Sequence, residues 1–448
     1  MNAEVDLVRQ FPRDFLWGTA TSAHQVEGNN SRNDWWEFEQ VPGHIHDQRP
    51  SGDACRHFEL YPTDIKLMQQ LHQNAYRFSI EWSRLEPEPG KFDPAAIEHY
   101  RQMLIALRAA QIEPLLTIHH FTNPQWLAKQ GAWENSTVVD HFRRLVTLLV
   151  REYSDLVRYW VTINEPVVYA VMGYMFGLWP PGCKQPLRGF KCMINMLKAH
   201  AAAYQILHTQ AKQPPQVGIA HNIRIFDPAT TSWLDRKVAD LQDLVINEVV
   251  LHALTTGEIR FPVGWQTIPE VRNSWDFMGL NYYSRDLVSF DWRRWRSFFG
   301  YNFPAADAEL SLFGWELYPE GLYRLCQRLA RYGKPIIITE NGLPDDTDEQ
   351  RPRFLLEHLT ALHRAIAEGV PVKGYFHWSL IDNFEWAEGY RTPFGLISVD
   401  FATQARAIKD SGQLYAEICR TGALTPTMWE NIKPRSNAPK KYFNILAN

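Results

Sequence analysis

Two short apolar runs in this chain each deliver a glutamate: Trp160-Val161-Thr162-Ile163-Asn164-Glu165-Pro166 and Ile336-Ile337-Ile338-Thr339-Glu340-Asn341-Gly342. Both have the character of strands that are apolar on both faces, as in a parallel sheet covered by helices. A carboxylate where such a strand ends needs a partner or a task, because burying an unpaired charge is costly. Two of them, 175 positions apart (340 minus 165), suit a division of labour. One carboxyl donates a proton to a leaving group while the other attacks or activates water, which is what cleavage of an acetal requires. Asn341-Gly342 reads as the turn that stops the second strand.

Eight apolar segments recur along the chain, at 15–25 (FLWGTATSAHQ), 75–80, 115–120, 160–165, 217–222, 277–283, 336–340 and 372–378. Taking their polar ends at 25, 77, 120, 165, 222, 283, 340 and 378, successive separations run from 38 to 61 residues. That leaves room for a strand, a helix and a loop each time. The intervening segments carry helical signals. Asp93-Pro94 supplies a cap and a first-turn proline ahead of Ile97, Tyr100, Leu104 and Leu107. Phe142, Leu145, Val146, Leu149, Val150 and Tyr153 form a second stripe, and Leu359, Leu362 and Ile366 belong to a third that Gly369 closes.

Strand-then-helix repeated eight times, with no Ser/Gly-rich or acidic linker, predicts a single (β/α)8 TIM barrel over residues 1–448 with extended loops at its C-terminal face. A doubly wound sheet would need a glycine-rich phosphate turn early in the chain, and Gly18-Thr19-Ala20 does not supply one. Residues 284–335 break the rhythm and read as an extended loop after strand six. It contains a basic-aromatic run, DWRRWRSFF at 291–299, more in keeping with a loop packed by its own rings than with a stacking surface.

Parallel strands bring their C-terminal ends to one face. There they collect Gln25, Arg77, His120, Asn164, Glu165, Tyr283, Glu340 and Trp378, with Glu385 and Trp386 just beyond. Adjacent His119 and His120 on a strand point to opposite faces, and no three His, Asp or Glu residues have ligand spacing, so no metal is expected. The H-x-x-E strings ending at Glu27 and Glu59 read as chance. No Gly-x-Ser-x-Gly elbow is present. What remains is a carboxylate pair among amide, imidazole, phenol and indole groups, which suit hydroxyls and the apolar faces of a sugar ring.

Bulk properties agree with a globular enzyme. Hydrophobic residues make up 45% and charged residues 21%, enough for a large core. A net charge of −4 gives no footprint for nucleic acid or an anionic membrane. The 17 tryptophans supply either a large aromatic core or flat stacking surfaces. Five scattered cysteines argue for a reducing compartment, and the charged N-terminal stretch lacks the apolar core of a secretion signal, so a cytoplasmic location is expected. Nothing in the sequence specifies an oligomeric state.

The motifs FLWGTATSAHQVEG, TINEP, GLNYYS, ITENG, YFHWSLIDNFEWAEGY and RTPFGLISVD follow one another in order. On them the chain resembles the β-glucosidases of glycoside hydrolase family 1, from Phe15 to about Asp400. The resemblance implies that Glu165 is the acid/base and Glu340 the nucleophile of a retaining, cofactor-free reaction on a small β-glycoside. It implies that Gln25, His120, Asn164, Glu385 and Trp386 hold the terminal sugar, with Trp378 beneath it and Tyr283 against the nucleophile. Arg77, Asn281 and Phe394 are supporting positions; Arg77 has two readings, as the cation beside Glu340 or as an ion pair with Glu81. Glu385 speaks against a phosphorylated sugar, and Glu165 against the thioglucosidase branch, which has glutamine there. Galactosides and fucosides are expected side substrates. Many relatives carry tryptophan at the positions of Phe121 and Val167, so the leaving-group side is expected to differ, with His221-Asn222 adding polar groups there. The competing readings are a transglycosylating enzyme using the same site and a non-catalytic sugar-binding barrel.

Overall fold

A computed structural model describes residues 7–430 and 432. Eight parallel strands close on themselves: β1 (Leu16–Ala20), β2 (Ala75–Ser79), β3 (Glu113–His119), β4 (Tyr159–Asn164), β5 (Gln216–Asn222), β6 (Phe277–Asn281), β7 (Ile336–Asn341) and β8 (Val372–Trp378). Neighbours in space are neighbours in sequence, and β8 closes on β1 with Trp378 opposite Ala20. This is a (β/α)8 TIM barrel. The reading of a single domain to residue 448, and of the first six residues, extends beyond the described residues. Among the described residues no helix is long and apolar enough to cross a membrane.

The expected helices form where their signals lie. Asp93 accepts from the amides of Ala95 and Ala96 and starts the helix Pro94–Ala109, a cap worth about 1 kcal/mol. The helix Val138–Tyr153 buries the whole stripe from Phe142 to Tyr153 against the barrel, each large side chain contributing roughly 1.5–3 kcal/mol. Helix Arg351–Ala367 stops at Glu368, followed by Gly369 at φ +92°. Inside the barrel, small residues (Ala20, Ala75, Ala220) alternate with large ones (Phe277, Phe376) in one buried cluster, so the interior is filled.

Three expectations need correction. The first apolar segment is not strand to its end: β1 stops at Ala20, and Gln25 rides on a one-turn helix, Ala23–Val26, that folds over the barrel mouth. Strand β7 runs one residue beyond Glu340, because the Asn341 amide donates to Tyr282 O and accepts from the Tyr375 hydroxyl. The stretch after β6 is more than a loop. Strands Arg285–Phe290 and Gly300–Phe303 form a hairpin that pairs with Ile225–Pro228 beyond β5, making a separate three-stranded sheet. Trp292 and Trp295 at its tip stay exposed.

The pairing registers slip between Val161 and Asn164, between Leu280 and Asn281, and between Ile338 and Asn341. Such irregularities re-aim side chains, and these three fall at the ends of β4, β6 and β7. Gly342 follows, where an added Cβ would lie 1.9 Å from Trp378 O. Only glycine lets the end of β7 pass so close to the end of β8.

Candidate active site

At the C-terminal mouth of the barrel the strand-end side chains form one hydrogen-bonded network. Arg77 on β2 is fully buried and sits at its centre. Its Nη1 donates to Glu340 Oε1 at 2.5 Å and to Thr339 O at 3.1 Å, its Nη2 to Asn164 Oδ1 at 2.6 Å, and its Nε to Thr117 Oγ1 at 3.1 Å. Arg77 is therefore the cation beside Glu340. Glu81 accepts instead from Ser83 and Thr122. On the other side of the carboxylate, the Tyr283 hydroxyl donates to Glu340 Oε2 at 2.5 Å. Burial, then the negative charge of Glu340, pushes the Tyr283 phenol well above its usual range, so it stays a donor.

Glu165 is tied to the same network through amides. Asn281 Nδ2 donates to Glu165 Oε1 at 2.6 Å and to Asn164 Oδ1 at 3.2 Å, while Thr339 Oγ1 donates to Asn281 Oδ1 at 2.6 Å. Asn222 Nδ2 reaches Glu165 Oε1 at 3.1 Å. Glu165 itself has left-handed backbone, φ 47° and ψ 61°, immediately before the Pro166 that begins the next helix. For a residue other than glycine this costs roughly 1–3 kcal/mol. Phe121 (φ 70°) and Trp386 (φ 49°) carry the same strain at the same mouth.

The two carboxyls differ in surroundings. Burial first, and then the negative charge of Glu340, push Glu165 up to about 8 from 4.5; the Asn281 and Asn222 hydrogen bonds pull the other way. Loss of water is thus a larger cause than like-charge repulsion. Glu165 is thus protonated at neutral pH beside a carboxylate that faces a guanidinium.

Gln25, His120, Trp378, Glu385 and Trp386 line the opposite side of the mouth. Gln25 Nε2 donates to Glu385 Oε2 at 3.1 Å and to Phe384 O at 2.9 Å. Burial and the charge of Glu340 push Glu385 up to about 8 as well. The His120 ring stacks between Trp378 (5.9 Å, 25°) and Trp386 (6.1 Å, 19°). Burial and the Arg77 charge lower its pKa well below the usual histidine range. Because Asn164 Nδ2 faces His120 Nε2 at 3.2 Å, that nitrogen accepts and Nδ1 carries the proton. Nδ1 has no partner among the described residues, leaving a buried donor for a ligand hydroxyl.

Several sequence readings change in detail. His119 turns outward to Asn123 and Trp133, away from His120. His221 also points out of the barrel, to Asn247 O at 3.0 Å, so only Asn222 of that pair enters the site. Val167 is buried, and Phe121 packs against Trp179 at 4.8 Å as well as His120 and Trp386. Glu27 is neither a ligand nor idle: it accepts from Arg84 and Tyr100 in a buried network. Phe313 and Trp315, read as loop, pack against Phe394 and Tyr283 and wall the site. Nothing in local spacing marked them. Among the described residues no group of three His, Cys, Asp or Glu side chains is arranged to hold a metal ion.

Comparison with known proteins matches a family model for glycosyl hydrolase family 1 to residues 7–423. Beta-glucosidase A of Thermotoga maritima is 34% identical over 455 residues, covering 93% of this chain and 99% of that protein. A beta-galactosidase of Pyrococcus woesei is 29% identical over 507 residues, covering 94% and 99%. The solved structure of a beta-glycosidase from Pyrococcus horikoshii superposes with a TM-score of 0.89 at 41% identity, covering 94% of this chain and 97% of that one.

Proposed function

This chain belongs to glycosyl hydrolase family 1, and we propose that it is a retaining β-glucosidase that removes terminal β-D-glucosyl residues from small β-glucosides or cello-oligosaccharides. The observation that carries the reading is the asymmetry of the carboxyl pair. Glu340 accepts from Arg77 and Tyr283, while Glu165 is held protonated and accepts only from amides.

Glu340 attacks the anomeric carbon as the bond to the leaving oxygen breaks, and the Glu165 proton passes to that oxygen. The glycosyl ester so formed removes the Glu340 charge. Glu165, now ionised and relieved of repulsion, takes a proton from water, whose oxygen attacks the anomeric carbon and frees Glu340. Two inversions give net retention, which requires the carboxyls about 5–5.5 Å apart rather than roughly 6.5–9.5 Å. Asn164, oriented by Arg77 and Asn281, bonds the sugar 2-hydroxyl, and that contact strengthens as the ring gains positive charge.

Gln25, His120, Glu385 and Trp386 hold the remaining hydroxyls, and Trp378 offers its indole face. A neutral sugar suits a pocket floored by Glu385, whose carboxyl offers hydrogen bonds to hydroxyls and no positive charge to a phosphate dianion. The curated Pyrococcus woesei relative is named a beta-galactosidase, in keeping with galactosides and fucosides as side substrates. Five free cysteines support a cytoplasmic setting. The test is a rate panel of glucosides, galactosides, fucosides and cello-oligosaccharides, with proton NMR of the first product. β-Glucose released ahead of mutarotation is expected; α-glucose overturns retention, and the lack of hydrolysis of any β-glycoside overturns the reading.

A further inference from the structure

Apart from Asn164, the glycone residues follow the ends of β1, β3 and β8, which leaves the side beyond Glu165 on β4, over β5 and β6, for the leaving group. Asn222, which ends β5 and touches Glu165, is followed two residues later by Arg224. The backbone of Arg224 is clamped on both sides by Asn247, which accepts from its amide at 3.1 Å and donates to its carbonyl at 2.8 Å. Its guanidinium lies 5.8 Å from the ring centre of Trp315, and Trp315 in turn packs on Tyr283, 5.4 Å away. Both Arg224 and Trp315 keep part of their surface open.

Asp286 neutralises the cation, with contacts of 3.1 Å to Nε and 3.3 Å to Nη2. The Nη1 donors have no hydrogen-bond partner among the described residues. An ion pair without net charge has little to offer an anionic leaving group. A guanidinium edge with spare donors beside a partly open indole fits a neutral ring that carries hydroxyls.

Building on the glucosidase reading, we propose that Arg224 is a specificity-determining residue that binds a second sugar ring on the leaving-group side, making disaccharides and longer β-glucans the favoured substrates over aryl glucosides. Nη1 donates to hydroxyls of that ring while Asp286 fixes the guanidinium plane and Trp315 bounds the ring.

The experiment compares kcat/KM for cellobiose with that for 4-nitrophenyl β-glucoside in the wild type, Arg224→Met and Arg224→Lys. A charge-assisted hydrogen bond lost from the transition state lowers the cellobiose-to-aryl ratio by about tenfold or more. The lysine variant, which keeps a charge without the planar fork, is expected to fall between. A ratio unchanged in both variants overturns the proposal, as does a wild type that cleaves the aryl glucoside but not cellobiose; in either case the glucosidase reading stands. A wild type that cleaves neither substrate removes that reading, and the proposal with it.

Discussion

The proton on Glu165 should follow the charge on Glu340. Glu165 is pushed up to about 8 from 4.5, and that difference amounts to about 5 kcal/mol favouring the neutral form. Two unit charges at the retaining spacing of about 5–5.5 Å repel by roughly 3 kcal/mol at an effective dielectric near 20. That is about two pH units; burial pushes harder still, and the Asn281 and Asn222 hydrogen bonds and the Arg77 charge offset part of the sum. Converting Glu340 to a glycosyl ester with a slowly released 2-fluoro glucoside should therefore bring Glu165 from about 8 toward about 6. Carboxyl-labelled glutamate NMR reads this directly in the free and trapped enzyme. The kinetic counterpart is loss of kcat/KM as pH rises through about 8, because the first step needs the protonated acid. A Glu165 that titrates within half a unit of the same pH in both forms would refute the coupling and leave burial as the whole cause.

Asn281→Ala removes a hydrogen bond that favours ionised Glu165, so the basic limb should move to higher pH. The second step should slow by about tenfold, seen as a burst of aryl alcohol below neutral pH. Arg77→Met leaves Glu340 buried without its cation and should cost about 3–5 kcal/mol of stability, measured by denaturant unfolding. The penalty should be smaller in acid than at neutral pH, since only the ionised carboxylate suffers from the missing charge.

Much of this was legible in the sequence because strand ends are covalently marked. Glu165 and Glu340 follow apolar runs whose pattern requires burial, so their side chains had to emerge at the barrel mouth with Asn164, Arg77 and Tyr283. Gln25 reaches Glu385 at the mouth but from a different element than expected, since FLWGTATSAHQ is apolar through the point where β1 ends and a helix begins. His221 and Asn222 show the limit of reading pairs: adjacent residues on a strand face opposite ways, and only register decides which one enters. Trp315, Phe313 and Arg224 carried no periodic signal, because irregular segments bring them together over β5 and β6. The pairing of 225–228 with 285–288 is a long-range contact that no local pattern encodes.

The central claim is that Glu340 forms the covalent bond to the sugar. Glu340→Gly, assayed with an aryl β-glucoside, should lose nearly all activity and recover it when azide occupies the vacated space, yielding the α-glucosyl azide by a single inversion. Activity near wild type without azide, or a β-glucosyl azide as the rescued product, would contradict it.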